Sequence, residues 1–128
     1  MLVLDENLPA GQRLLLRRWR LHFRVIGVDT AVSGTDDENL LPVLHHLPQP
    51  TFISLDADFY RPDWAHASYS LVWLDVPSRQ AAEFTRRFLR HSVFDTQAKR
   101  MGIVARVHAE RISYWRVGKR FATSVLWR

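Results

Sequence analysis

Two stretches of the chain are apolar without alternation and end in acid. Leu2-Val3-Leu4 runs into Asp5-Glu6-Asn7, and Phe52-Ile53-Ser54-Leu55 runs into Asp56-Ala57-Asp58. Short runs of this kind predict strands buried on both faces, as in parallel sheets covered by helices. Between them the period changes to that of helices. Asn7 is placed to cap a helix carrying Pro9 in its first turn and Leu14, Leu15 and Trp19 on one face. The β-branched residues Val25, Ile26 and Val28 mark a second short strand over 23–28. After a Ser-Gly loop, Thr35-Asp36-Asp37-Glu38 has the Ser/Thr-x-x-Glu form of a capping box. It opens a helix with Leu40, Leu41, Val43 and Leu44 inside, ending before Pro48, and residues 51–55 form the next strand.

The second half begins with a loop over 60–68, which contains Pro62, and a strand over 69–74 stopped by Pro77. Ser78 can cap a helix through about Arg90, with Ala82, Phe84, Phe88 and Leu89 buried and Arg79, Arg86, Arg87 and Arg90 more exposed. Residues 102–107, 111–117 and 121–127 alternate as strands do, joined by turns at 108–110 and 118–119, and predict an antiparallel meander added to the sheet. Strands alternating with helices, then this meander, predict an α/β fold with a mainly parallel sheet and a C-terminal antiparallel strand extension. A chain of 128 residues suits one domain spanning 1–128 and is short for two.

Composition sharpens this reading. Apolar residues form 47% of the chain, which argues for a packed core. The absence of cysteine excludes a disulfide framework, a thiolate nucleophile and Cys-ligated zinc, and fits a reducing compartment. The N-terminus enters a strand with no basic leader or cleavage site, and no apolar run approaches the roughly 18 residues a membrane span needs. A cytoplasmic protein with no membrane association is expected. The net charge of +5 is unevenly spread: residues 1–75 hold six Arg against ten acids, a balance of −4, and residues 76–128 hold twelve Lys or Arg against three acids, a balance of +9. An acidic cation site beside a basic surface suits chemistry on a phosphodiester.

The acids carry the candidate chemistry. Ligands of open α/β sheets gather beyond the carboxyl ends of the strands, where Asp5, Asp56 and Asp58 fall. Carboxylates crowded together repel unless a hard cation neutralises them, and oxygen donors suit Mg²⁺ or Mn²⁺. Asp5 ends a strand expected to be buried, where a lone carboxylate is costly unless paired or coordinated. Asp56 and Asp58 share a face if the extended geometry persists, although Asp58 also suits a turn before Phe59. Glu38 has two readings, because a capping-box Glu is already explained by its bond to the Thr35 N–H. Asp36 and Asp37 favour the helix dipole, Glu6 points away from Asp5, and Asn7 is most simply a cap.

Other chemistries lack support. His45 and His46 cannot face one site and have no zinc-binding partner at a suitable spacing. There is no Gly-x-Ser-x-Gly elbow and no Gly-rich phosphate loop. Residues 111–116 interleave aromatics with Arg, which suits base stacking, but more commonly marks a strand with one face in the core and one in water.

The segments Leu4-Asp5-Glu6-Asn7-Leu8-Pro9, Gly34-Thr35-Asp36-Asp37-Glu38 and Ser54-Leu55-Asp56-Ala57-Asp58-Phe59, in this order and spacing, resemble the small PIN-like domain family, related to the toxin ribonucleases of VapBC toxin-antitoxin modules. The resemblance covers roughly residues 1–91. It implies a three-layer α/β/α fold, a divalent metal held by carboxylates, and hydrolysis of RNA. Carried onto this chain, it assigns Asp5, Glu38 and Asp56 to the metal, Mg²⁺ or Mn²⁺, and Asp58 to a second ion or to the attacking water. Ser54 stands where such domains commonly have Thr and keeps the hydroxyl. The expectation is a metal-dependent endoribonuclease with catalytic Asp5, Glu38, Asp56 and Asp58, and with RNA along Arg79, Arg86, Arg87 and Arg90. The setting implied is a toxin neutralised by a cognate antitoxin, with homodimer formation left open. The alternative is a PIN-like nucleic-acid-binding or protein-interaction module without catalysis.

Overall fold

The apolar runs pair side by side. A computed structural model describes residues 1–26 and 37–127, the side chains of Asp37 and Glu38 excepted. Strand β1 (Leu2–Leu4) lies between β2 (Phe23–Val25) and β3 (Thr51–Ser54), parallel to both, with Leu4 in register with Val25 and Ile53. β4 (Ser70–Asp75) and β5 (Ile103–His108) extend the parallel sheet. β6 (Arg111–Arg116) and β7 (Thr123–Leu126) then close a seven-stranded sheet of order β2-β1-β3-β4-β5-β6-β7 in antiparallel fashion. The expected meander is therefore present, but its first strand belongs to the parallel part. The expected strand end at Val28, the Ser-Gly loop and the Thr35 capping box lie outside the described residues.

Helices cover both faces, which is why β1 and β3 read as continuous apolar runs. α1 (Ala10–Arg18) and α3 (Ala81–Arg90) bury Leu16, Phe84 and Phe88 against Leu4, Ile53, Val72 and Ile103 on one face. α2 (Asp37–His45) buries Leu40 and Leu44 against Val3 and Phe52 on the other, where Phe59 also packs. A four-residue helix, α4 (Gln97–Arg100), precedes β5 and has no apolar stripe by which the sequence could announce it. Several boundary details differ from expectation. Leu14 is 49% exposed, and the buried residue of α1 is Leu16. Ser78 begins a short 3-10 turn rather than capping α3, which starts at Ala81 after Gln80. Arg86 and Arg87 are half-buried, their guanidinium groups lying over the rings of Trp19 and Trp127. Among the described residues no helix is long and apolar enough to cross a membrane.

Candidate functional site

The carboxyl ends of β1 and β3 bring together Asp5, Asn7, Ser54 and Asp56 of the Asp5 and Asp56 motifs. Parallel register holds the ends level: the Asp5 N–H donates to Ile53 O at 2.9 Å, continuing the ladder one residue past β1. The Asp5 side chain then turns toward β3, and Ser54 Oγ donates to Asp5 Oδ2 at 2.7 Å. Ser54 is fully buried and its hydroxyl is a hub, accepting from Asn7 Nδ2 at 3.2 Å and from the Asp56 N–H at 3.0 Å. Asn7 is thus not the cap of α1, whose N-terminal flank is Pro9 with no side-chain cap. Its amide instead ties the two motifs together, donating to Ser54 and accepting from the Leu55 N–H at 3.3 Å.

Burial pushes the Asp5 carboxyl above the usual carboxylate range. The Ser54 hydroxyl and Asn7 N–H oppose that shift, and the charges of Glu6 and Asp56 add to it. Asp5 is half-buried, with no Lys or Arg within ion-pair distance among the described residues. A carboxylate so placed is relieved by a cation or by a proton.

The third-motif acids divide. Asp56 is half-buried beside Asp5, and its Oδ1 accepts the Asp58 N–H at 2.9 Å as the cap of a 3-10 turn over Ala57–Phe59. That turn breaks the extended geometry that would have put Asp56 and Asp58 on one face. Asp58 is exposed. Glu38 lies in the first turn of α2, and its side chain falls outside the described residues. Among the described residues no group of three His, Asp or Glu is gathered closely enough to hold a metal ion. The donors that do meet, from Asp5 and Asp56, are carboxylate oxygens suited to a hard cation.

Alternation along the strands places Asp5, Ser54, Trp73, Asp75, Arg106 and His108 toward the same face of the sheet. Ser54 is level with Trp73, and Trp73 with Arg106. Asp75 could have been found, since it too ends an apolar strand. Its carboxylate is engaged by Arg106 Nη2 at 2.6 Å and Nε at 2.9 Å. Of the aromatic and basic strand at 111–116, Tyr114 packs with the core against Phe94, and Trp115 points to the other face, so the ordinary two-faced strand accounts for it.

The four arginines expected along RNA differ in exposure and in partners. Arg79 and Arg90 are exposed at opposite ends of the helical segment, and Arg86 and Arg87 are stacked between them. α3 also lies on the face opposite that of Ser54. Sequence reasoning set His45 and His46 aside as a pair that cannot face one site, and did not foresee that Ser68 Oγ joins His66 Nδ1 at 2.8 Å and His45 Nδ1 at 3.1 Å. That cluster stands near the amino ends of the strands, away from Asp5.

Comparison with protein-family models, curated proteins and solved structures yields no match to this chain.

Proposed function

We propose that the protein is a PIN-like, metal-dependent endoribonuclease acting in the cytoplasm, with Asp5 at the centre of its site. The observation that supports this reading most is the half-buried Asp5 carboxyl. Two neighbouring acids surround it, no cation is within ion-pair reach among the described residues, and the Asn7–Ser54 network aims it at the end of the sheet. Asp5 and Asp56, completed by Glu38, would hold Mg²⁺ or Mn²⁺. A bound ion of this kind supplies an activated water and neutralises charge on the phosphoryl oxygens. Ser54 orients Asp5, Asn7 fixes Ser54, and Asp58, exposed in the turn that Asp56 caps, would orient the attacking water or hold a second ion. A toxin role with a cognate antitoxin belongs to the same proposal, and a small neighbouring reading frame encoding a DNA-binding protein would support it.

The experiment is cleavage of single-stranded RNA by purified protein with Mg²⁺ or Mn²⁺, with chelator, and with Asp5→Asn. Metal-dependent cleavage lost in the variant upholds the reading, and RNA left intact under all conditions removes it. One observation favours the alternative of a binding module without catalysis: the carboxylates of Asp5 and Asp56 already accept hydrogen bonds from Ser54 and from the Asp58 N–H. That reading predicts RNA or protein binding indifferent to chelator.

A further inference from the structure

The amino end of the sheet carries a cleft of different chemistry. The start of β1, the residues leading into β2, the last turn of α3 and α4 enclose a space of about 520 Å³. That volume lies within the roughly 300–1,000 Å³ typical of small-molecule sites. Its apolar wall includes Leu21, Phe23 and Leu89, and its cations are Arg20, Arg24 and Arg100, with His22 beside them. Among the described residues no Asp or Glu lines it. A second hollow of about 510 Å³ shares Leu21, His22, Phe23 and Arg24 and adds Arg17.

Arg100 is the informative residue. It is 8% exposed, with Nε donating to Thr51 Oγ1 at 2.9 Å and Nη1 to Phe94 O at 2.7 Å. Those bonds satisfy donors without neutralising the charge. Asp95 is engaged by Lys99 at 2.8 Å, and among the described residues no carboxylate lies within ion-pair distance of Arg100. The Asp95 charge reaches Arg100 only from beyond ion-pair distance and is shared with Lys99. A buried cation so weakly compensated is costly, and here it borders a cleft lined by two further arginines. An anion in that cleft removes the cost.

We propose that this cleft binds a nucleoside phosphate, with the phosphate on Arg20, Arg24 and Arg100 and the base against Phe23 and Leu89. Several guanidinium groups converging on one space match the oxygens of a phosphate better than a single carboxylate. The apolar wall beside them suits a flat ring. A free mononucleotide and the phosphorylated end of an RNA strand offer this same chemistry. The site is at the end of the sheet remote from Asp5, so the assignment stands independently of the nuclease reading.

Calorimetric titration in chelator tests it, with AMP, adenosine, inorganic phosphate, and tetraadenylate carrying either a 5′-phosphate or a 5′-hydroxyl. AMP or the 5′-phosphorylated strand is expected to bind at least tenfold more tightly than its unphosphorylated counterpart and than inorganic phosphate. Arg24→Ala should weaken that binding at least tenfold. Arg20→Asn should act in the same direction, and Asn tolerates the positive φ of 65° found at Arg20. Preference for AMP identifies the free nucleotide as ligand, and preference for the phosphorylated strand identifies an RNA end. The proposal is overturned if neither binds, if the phosphate makes no difference, if inorganic phosphate binds equally well, or if both variants bind like the wild type. Arg100 itself is left unchanged because it anchors α4 to β3.

Discussion

Arg100 and Asp5 mark opposite ends of the same short strand. Arg100 Nε bonds Thr51, the first residue of β3, and Asp5 Oδ2 bonds Ser54, the last. Three residues of strand, on the order of 10 Å, separate the two levels. Other charges follow the same axis. Arg17, Arg20, Arg90, Arg116, Lys119 and Arg120 lie toward the amino ends of the parallel strands, and Asp5, Glu6, Asp56, Asp58 and Asp75 toward the carboxyl ends, where Arg79, Arg106 and Arg111 also lie. Acids are thus concentrated at the carboxyl ends of the strands, with arginines at both ends.

Under the proposed RNA-binding role, this arrangement predicts which exposed cations contribute. Lys119 and Arg120 are exposed at the turn between β6 and β7, beside a hollow lined by Tyr114, Arg116 and Phe121. Replacing both with Ala should weaken single-stranded RNA binding and reduce the salt slope by about 0.7 for each phosphate that is no longer neutralised. Arg86→Ala should chiefly affect stability, since its guanidinium lies 3.7 Å from the centre of the Trp19 ring. Loss of that stacking should cost about 0.5–1 kcal/mol in a urea titration. Unchanged salt dependence in the double variant would overturn the first expectation, and unchanged stability the second.

Ser54→Ala should be among the most damaging single-atom changes in the chain. One hydroxyl serves Asp5, Asn7 and the Asp56 N–H, and Ser54 is fully buried. Its removal leaves several polar groups short of partners, at a cost of about 1–3 kcal/mol. Ser54→Thr retains the hydroxyl and should preserve the network if the added methyl is accommodated. Denaturant midpoints of the two variants check this, and equal stability of Ala and wild type would show that the hub is dispensable.

Gly102→Ala tests the entrance to β5. Gly102 has φ of +87°, and an added Cβ would lie 3.0 Å from Val117 Cγ1. The residue cannot move freely, because its N–H donates to Tyr69 O at 2.9 Å and its carbonyl accepts from the Val117 N–H at 2.7 Å. Backbone strain alone should destabilise the variant by about 1–2 kcal/mol. A calorimetric melt that leaves Tm unchanged would contradict this.

How far the sequence disclosed these features depended on whether a signal was local. β1 was legible because burial on both faces leaves uninterrupted apolar residues, β3 because Phe52, Ile53 and Leu55 follow closely, and α3 because Phe84 and Phe88 fall one turn apart. Asn7 was misread because its local propensity suited a cap, whereas its partners, Ser54 and Leu55, are reached only through strand pairing. The same holds for Arg100, a surface residue by type that is buried through its bonds to Thr51 and Phe94. Asp56 and Asp58 were placed on one face by assuming an extended chain, and the 3-10 turn capped by Asp56 cancels that geometry. Acids at strand ends could be found from sequence, but the hydrogen bonds that aim them could not.

Asp5→Asn provides the test that couples pH and metal. The Asp5 pKa is raised in the folded protein, chiefly by burial, so the folded state holds this proton more tightly than the unfolded chain. In chelator, the Asp5 contribution should therefore decline as pH climbs from the ordinary aspartate range through the raised value, and stay reduced above it. Asn carries no such charge. The variant should consequently gain on the wild type as pH rises through that window, and the gain should vanish in acid. Metal reverses the order at neutral pH: Mn²⁺ at about 100 times its dissociation constant should stabilise the wild type by roughly 2.7 kcal/mol and the variant much less. Thermal melts of both proteins across pH, with chelator and with Mn²⁺, read all of these outcomes. A variant less stable than wild type in chelator at neutral pH, together with a wild type indifferent to Mn²⁺, would mean that the Ser54 and Asn7 hydrogen bonds serve a structural carboxylate, and the metal reading of the site would fall.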